Sequence, residues 1–432
     1  MTAGADTAPA LARPALKARG VFAAVLGNGF EFFDFTVYAT FLGMIGEAFF
    51  PSNNTLVSDL ASAATFGAGF VARPLGGALI GAYGDREGRK PAMTLSIGLM
   101  AIGSAIIAIT PGYATIGIWA PILLIVARLF QGFAVGGEVG PATMFLLEAA
   151  PKDQRLLFAS WQLASQNLSS LLGGLIGFLL AMALSQSSLN AWGWRVPFAF
   201  GVLIAPVGMI IRSRLTETLE KPPQEGARRA TAILTSVIRS NWRGVALGLA
   251  LISGGTITQY FLITMTPYAI RTLHLPPSSA MLGAITLGIT GCLGALAGGA
   301  LADRWGIRPV VIASRIGLMI ALFPVMKFLI ANPSAATLAL AIAILSVLHA
   351  AGVAVIVALV PLIFPPGIRS TGLALTYAVG VAIFGGTATY VVTWLVGVTG
   401  NPLASTYYVM AANAVVLLAA LAIRNSDTGE SN

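Results

Sequence analysis

Apolar residues recur in runs of about 20 along nearly the whole chain, separated by short polar segments. Each run is long enough to cross the ~30 Å hydrocarbon core of a bilayer as an α-helix. We predict twelve spans, numbered 1 to 12 below, at about 21–48, 58–82, 91–110, 117–147, 157–184, 195–212, 243–267, 278–301, 308–330, 337–363, 371–397 and 403–423. The pattern predicts an all-α membrane protein with both chain termini on one side.

A short motif occurs twice, between spans 2 and 3 and between spans 8 and 9. The copies begin at Gly81 and Gly299, and both follow the pattern G-x-x-x-D-R-x-G. Their aspartates, Asp85 and Asp303, are 218 residues apart, which is close to half of the 432-residue chain. A membrane chain with such a repeat is typical of transporters built from two related halves. We therefore predict two pseudo-symmetric halves of six spans each.

The charged side chains of this motif lie at predicted helix ends, where they can pair in one conformation and separate in another. We assign gating roles to Asp85, Arg86, Arg89, Asp303 and Arg304. The two copies are not identical, because Ile307 occupies the place that Arg89 has in the first copy. A simple surface turn is the alternative interpretation of a single copy.

A break in composition near the middle of the chain separates the two halves. Between 213 and 242, Arg, Lys and Glu mix with Pro222 and Pro223, and no apolar run fits. The predicted units are a tail at 1–19, a six-helix bundle at 20–213, a linker at 214–242, a second six-helix bundle at 243–424 and a tail at 425–432. The linker and both tails are expected to be cytoplasmic.

Composition and charge support the membrane assignment. Apolar residues make up 56% of the chain and charged residues 9%, whereas soluble domains carry about 25% charged residues. The net charge is +9, and 19 of the 25 Lys and Arg residues lie on the side of the termini. We call this the basic side and the other the opposite side. The positive-inside rule makes the basic side cytoplasmic in a cell inner membrane, so the charge implies no nucleic-acid partner.

Seven ionisable residues fall inside predicted spans. They are Glu31, Asp34, Arg73, Arg128, Glu138, Arg315 and Lys327. A charge at a lipid-facing helix centre costs about 2.5–3.5 kcal/mol, so these groups imply pairing or a water-filled cavity. Lys327 is expected to extend to the membrane surface.

The helical period groups several of these charges. Glu31, Asp34 and Tyr38 share one face of span 1, and Arg128 shares a face of span 4 with Glu138. We interpret Asp34, Glu31 and Glu138 as proton carriers and Arg128 as a carboxylate-binding cation, since its planar fork donates two parallel hydrogen bonds. The alternative is an internal Arg–acid pair that holds span 4 to span 1.

Amide and hydroxyl groups line two further spans. Gln162 and Gln166 are one turn apart on span 5, and Gln259 and Tyr260 lie on span 7. Such donor and acceptor sets can orient carboxylates or hydroxyls, although hydrogen bonding between helices would need the same residues. The predicted substrate-binding residues are Arg73, Arg128, Gln162, Gln166, Tyr38, Gln259 and Tyr260. No catalytic residue, metal ligand or cofactor site is predicted, and the chain is not expected to be an enzyme.

These motifs resemble a known family. The doubled motif is similar to the signature of the major facilitator superfamily. The segments from Gly27 to Phe35, Arg73-Pro74, and from Arg128 to Glu138 resemble its metabolite:proton symporter branch. The segments from Ser160 to Gln166 and from Ile383 to Gly386 resemble citrate–proton symporters most. The apolar stretch at 353–362 differs from the citrate members, which carry an Asn and a Glu there. The resemblance therefore leaves open which di- or tricarboxylate is the substrate.

The resemblance implies the major facilitator fold, alternating access and proton-coupled import of citrate or a related di- or tricarboxylate. The implied partners are the carboxylate, a proton or sodium ion, and membrane lipid, and the protein is expected to be a monomer. The alternatives are symport of an osmolyte or aromatic acid, proton-driven efflux, and a nutrient sensor that binds substrate without transporting it.

Overall fold

Helices occupy all twelve positions that the apolar runs predict. The computed structural model describes residues 18–87, 89–136, 146–147, 150–151, 153–213, 241–365 and 368–423, with most of their side chains. No strand occurs among these residues. Eight of the described helices are long and apolar enough to cross a membrane, and shorter apolar helices cover Thr94–Ile109 and Trp119–Val135. The described part of the chain is therefore all-α, with a helix at each of the twelve predicted spans, six in each half.

The helices of the first half follow the predicted order. They are α1 (Ala18–Thr40), α2 (Leu42–Phe49), α3 (Thr55–Glu87), α4 (Arg89–Ile109), α5 (Tyr113–Ile116), α6 (Trp119–Val135), α7 (Arg155–Ala183), α8 (Gln186–Ala191) and α9 (Val196–Ser213). Helices α1 and α2 together form span 1, and α3, α4, α6, α7 and α9 form spans 2 to 6. A 3-10 turn at Gly193–Arg195 leads into span 6.

The second half repeats this arrangement. Its helices are α10 (Trp242–Ile263), α11 (Met265–Arg271), α12 (Pro277–Trp305), α13 (Ile307–Ala331), α14 (Ala335–Leu362), α15 (Arg369–Gly380), α16 (Gly386–Thr399) and α17 (Ala404–Ala422). Span 7 is α10 with α11, spans 8 to 10 are α12 to α14, and span 12 is α17. Span 11 consists of α15 and α16 joined by a π-helical turn at Val381–Gly385.

The repeated motif is more helical than its glycines suggest. Helix α3 continues through Asp85 and Arg86 to Glu87, and α12 continues through Asp303 and Arg304 to Trp305. In the second copy the turn is confined to Gly306, whose φ of 86° lies in the region that favours glycine. The Asp and Arg positions of both copies therefore lie in the last turn of a helix. The predicted linker at 214–242 lies almost wholly outside the described residues.

Glycine brings neighbouring helices into backbone contact. A Cβ atom on Gly132 of span 4 would overlap the carbonyl oxygen of Gly69 of span 2. Between the halves, a Cβ on Gly288 of span 8 would overlap the backbone of Leu171 of span 5. Small residues allow this spacing because lipid supplies little hydrophobic force between helices, so close packing holds them together. Spans 5 and 8 thus form an extended contact between the halves.

Candidate functional site

A cavity lies between the two halves, and apolar residues form the larger part of its lining. Spans 1, 2, 5, 7, 10 and 11 line it, so both halves contribute. Its polar lining consists of Thr36, Arg73, Gln162, Gln166, Ser170, Thr256, Gln259, Tyr260 and Tyr377. No described lining side chain is a carboxylate, and Arg73 is the charged residue of this lining. The cavity is therefore suited to an anion.

Arg73 supplies the positive charge of the cavity wall. Its side chain is buried, and its guanidinium carbon lies 4.5 Å from the ring centroid of Phe35 and 4.0 Å from that of Phe70. The Tyr260 hydroxyl, which belongs to the other half, lies near the guanidinium. Among the described residues, Nε and Nη2 have no hydrogen-bond partner and no acid pairs with the group. A carboxylate in the cavity would satisfy these donors.

Arg128 lies behind this wall rather than in it. Its guanidinium carbon is 4.3 Å from the Phe35 ring centroid, 4.6 Å from that of Tyr38 and 5.0 Å from that of Phe66. The side chain is completely buried and does not line the cavity. Two cations therefore contact the same Phe35 ring, one beside the cavity and one deeper. Tyr38, also expected to contact substrate, is buried with its hydroxyl 3.2 Å from the carbonyl oxygen of Ser62.

A chain of hydrogen bonds connects Arg128 to Asp34 without a direct ion pair. Arg128 Nη1 donates to Gln131 Oε1 at 2.6 Å, and Gln131 Nε2 donates to Ser104 Oγ at 3.0 Å. Ser104 Oγ in turn donates to Asp34 Oδ2. The direction is fixed because a guanidinium can only donate, so Gln131 must present its oxygen to Arg128. These hydrogen bonds thereby link the protonation state of the Asp34 carboxyl to Arg128.

Asp34 faces the interior of the first half. Its Oδ1 has no partner among the described residues and lies against Gly201 of span 6, where a Cβ would come within 2.7 Å. Span 1 presents Phe32, Phe35 and Thr36 to the cavity instead. The carboxyl is therefore screened from the cavity, and the unpartnered Oδ1 is an atom that can receive a proton.

Span 5 contributes two amide side chains, Gln162 and Gln166, to the cavity lining. Gln162 Nε2 donates to Asn28 Oδ1 at 2.9 Å, which joins span 5 to span 1. Gln166 lies near the Tyr377 hydroxyl, which belongs to the other half. Ser169, on the same helix, instead donates to the carbonyl oxygen of Gly29. One face of span 5 therefore bonds to span 1 and extends to the cavity.

The second half holds a separate polar cluster behind the cavity. Gln259 lines the cavity, and its Oε1 lies 3.1 Å from His349 Nε2. Arg315 donates to the His349 carbonyl oxygen at 2.9 Å and to Asn413 Oδ1 at 2.8 Å. Arg315 thus bonds a side-chain amide and a backbone carbonyl. This cluster holds the Gln259 side chain at the cavity.

Several predicted site residues cannot be placed. The side chains of Glu31, Asp85, Arg86 and Arg89 and the whole of Glu138 lie outside the described residues. Two residues that sequence reasoning missed are Ser104 in span 3 and Tyr377 in span 11. Neither lies in a motif, so the sequence offers no signal for them.

On the opposite side, Arg271 connects the two halves. It is the last residue of α11, and its Nη2 lies 2.7 Å from Glu47 Oε1 while its Nε lies 3.3 Å from Asp59 Oδ2. Both acids belong to the first half. Burial alone would lower the pKa of Arg271, but the charges and hydrogen bonds of Asp59 and Glu47 raise it above the usual value. We call this group the Arg271 latch.

On the basic side, Asp303 connects the halves in another way. Its two carboxylate oxygens accept from the backbone N–H groups of Leu156 and Leu157, each at 2.9 Å. These groups belong to the first turn of span 5, where the helix dipole favours a negative charge. Arg304, in contrast, is exposed. Of the residues assigned to gating, Asp303 thus contacts the other half.

Opposite effects are expected from removing these two contacts. Arg271→Gln should favour opening on the opposite side, and Asp303→Leu should favour opening on the basic side, since each removes charged hydrogen bonds across the interface. Each bond is worth about 1.5–3 kcal/mol, enough to shift a two-state equilibrium about tenfold or more. Reagent accessibility of single cysteines placed at each end would measure the shift. Equal accessibility changes at both ends in either variant would contradict the assignment.

Known proteins resemble this chain over most of its length. The model of the Major Facilitator Superfamily matches residues 24–326 and 258–432. The citrate-proton symporter of Salmonella typhi is 34% identical over 404 residues, covering 92% of this chain and 93% of that protein. The alpha-ketoglutarate permease of Escherichia coli (strain K12) is 35% identical over 410 residues, covering 93% of each. The crystal structure of a D-xylose-proton symporter has a TM-score of 0.71 at 21% identity, covers 94% of this chain and 96% of that chain, and supports the fold alone.

Proposed function

The chain belongs to the major facilitator superfamily, and we propose that it imports citrate or a related di- or tricarboxylate together with protons by alternating access. The observation that carries the proposal is Arg73, a buried cation with two free donors beside a cavity whose described lining holds no acid. A carboxylate supplies both the charge and the paired acceptors that a guanidinium binds best. The relatives named for citrate and alpha-ketoglutarate support the same substrate class.

The other predicted substrate-binding residues divide into those that line the cavity and those that lie behind Phe35. Gln162, Gln166, Gln259 and Tyr260 contact the substrate with Arg73, since all of them line the cavity. Arg128 and Tyr38 act from behind Phe35, where Arg128 adds to the positive potential of the cavity. A zwitterionic osmolyte would bring its own cation to this positive wall, which makes it a poorer fit than a polycarboxylate.

Proton coupling is assigned to Asp34, with Glu31 and Glu138 as further proposed carriers. Asp34 is buried, has one unpartnered oxygen and reaches Arg128 through Ser104 and Gln131. Protonation of Asp34 removes the negative charge at the end of this chain of hydrogen bonds. The loss of charge alters the electrostatic environment of Arg128 and of the Phe35 ring, which Arg73 and Arg128 both contact. The proton and the substrate would thus influence each other without sharing a position.

Alternating access follows from contacts that close the two ends separately. The Arg271 latch closes the opposite side, and Asp303 closes the basic side against span 5. The proposed location is the cell inner membrane with both termini in the cytoplasm, which the excess of Lys and Arg on the basic side supports.

Uptake into proteoliposomes tests the proposal. Purified protein should carry labelled citrate inward faster when an inward proton gradient is imposed than when none is present. Excess unlabelled alpha-ketoglutarate, glycine betaine and an aromatic acid would be compared as competitors, and protein-free vesicles give the background. No citrate uptake by folded protein under either condition would exclude citrate, and competition by betaine but not by any carboxylate would favour osmolyte symport.

A further inference from the structure

The Gln162 amide is held in one orientation. Asn28 Nδ2 donates to the Gln162 carbonyl oxygen at 2.9 Å and to Ser165 Oγ at 2.7 Å. A peptide carbonyl can only accept, so Asn28 must place its nitrogen there and its oxygen at the other end. That oxygen accepts from Gln162 Nε2 at 2.9 Å. The network therefore assigns the Gln162 amide nitrogen to Asn28 and leaves Gln162 Oε1 as its free end.

Gln162 Oε1 is thus an acceptor without a hydrogen of its own. Gln162 lines the cavity, and no described residue donates to its Oε1. Thr36, Ser170 and Thr256 differ from it, because a hydroxyl can rotate and either donate or accept. The oxygen of Gln259 differs as well, since it lies against His349. Gln162 therefore offers the cavity a fixed acceptor that cannot turn into a donor.

A carboxylate oxygen cannot satisfy this atom. Carboxylates only accept, and placing one against an amide oxygen is repulsive, whereas Arg73 offers them free donors. We propose that Gln162 Oε1 accepts the hydroxyl hydrogen of the substrate, so that the site prefers hydroxy-substituted di- and tricarboxylates over the same acids without the hydroxyl. This inference rests on the proposed function, because it concerns the carboxylate that occupies the same cavity.

Pairs of acids that differ by one hydroxyl test the inference. Citrate is compared with tricarballylate, and malate with succinate, as competitors of labelled citrate uptake in proteoliposomes. A site built to hydrogen-bond a hydroxyl leaves its buried partner unsatisfied when the group is missing. We expect each hydroxy acid to compete at least about tenfold better than its counterpart.

Two variants assign the preference to Gln162. Gln162→Leu removes the acceptor, and Asn28→Leu keeps the acceptor but frees the amide to rotate. In both variants the two acids of a pair should compete within about twofold of each other while some carboxylate uptake remains. The ratio between the two acids as competitors therefore reports the role of Gln162 independently of overall transport activity. If either variant fails to fold, the other variant and the wild-type ratio still decide.

The possible failures can be told apart. Equal competition by both members of each pair in the wild-type protein would overturn the hydroxyl inference and leave carboxylate transport standing. A preference that survives in both variants would also overturn it, since another group must then recognise the hydroxyl. Absence of uptake for every carboxylate by folded protein would defeat the proposed function and this inference together.

Discussion

Arg73→Gln is expected to abolish most carboxylate transport. The substitution removes the charge beside the cavity together with the two free donors, Nε and Nη2. Losing one partner of a desolvated charge pair costs about 2–5 kcal/mol, which corresponds to roughly 30- to 4,000-fold in affinity. Initial uptake rates at several citrate concentrations and direct binding to detergent-solubilised protein would both show the loss.

Two further variants control this result. Arg73→Lys keeps the charge but loses the planar fork and its contact with Phe35 and Phe70, so it should recover only part of the affinity. Arg128→Gln removes a cation that does not line the cavity, so its effect on citrate affinity should be smaller than that of Arg73→Gln. Size-exclusion profiles and melting temperatures would confirm folding. Normal citrate affinity in folded Arg73→Gln would show that the carboxylate binds elsewhere.

The spans themselves could be predicted from sequence because one physical requirement dominates. A helix must be long and apolar to cross a bilayer, and this requirement leaves a signal in every segment. The helical period also placed Arg128 and Gln131 on one face, and these two side chains do contact each other. The helical period does not show which neighbouring helix each face contacts.

Span 1 illustrates this limit. The helical period puts Glu31, Asp34 and Tyr38 on one face of span 1, and Asp34 on that face meets Ser104 and Gly201 inside the first half. The cavity is lined by residues one position away on the helix, such as Phe35. A rotation of about 100° per residue separates the two faces, and only the packing of spans 3 and 6 decides between them.

The cation assignment shows the same limit. The sequence indicated Arg128 as the carboxylate-binding cation and placed Arg73 among the other predicted substrate-binding residues. Both guanidinium groups contact Phe35, but Arg73 lines the cavity and Arg128 does not. The aromatic rings that separate them come from spans 1 and 2, so the difference exists only after the helices have packed.

Asp34→Asn is expected to separate transport from the proton gradient. Asparagine has nearly the shape of a protonated aspartate and can still accept from Ser104, so the fold and the cavity should persist. It cannot release or bind a proton, however, and the charge at the end of the chain to Arg128 no longer changes. We therefore expect an inward proton gradient to give no accumulation of citrate, while exchange of internal for external citrate continues.

Comparing accumulation with exchange makes this prediction specific. A variant that has merely lost its fold or its substrate site loses both activities, whereas a variant that has lost its proton carrier keeps exchange. Ser104→Ala is the matched control, since it retains the carboxyl but breaks the connection to Gln131, and it should weaken coupling without eliminating it. If Asp34→Asn still accumulates citrate under a proton gradient, Glu31→Gln and Glu138→Gln become the variants to measure, because the proton must then use a carboxyl other than Asp34.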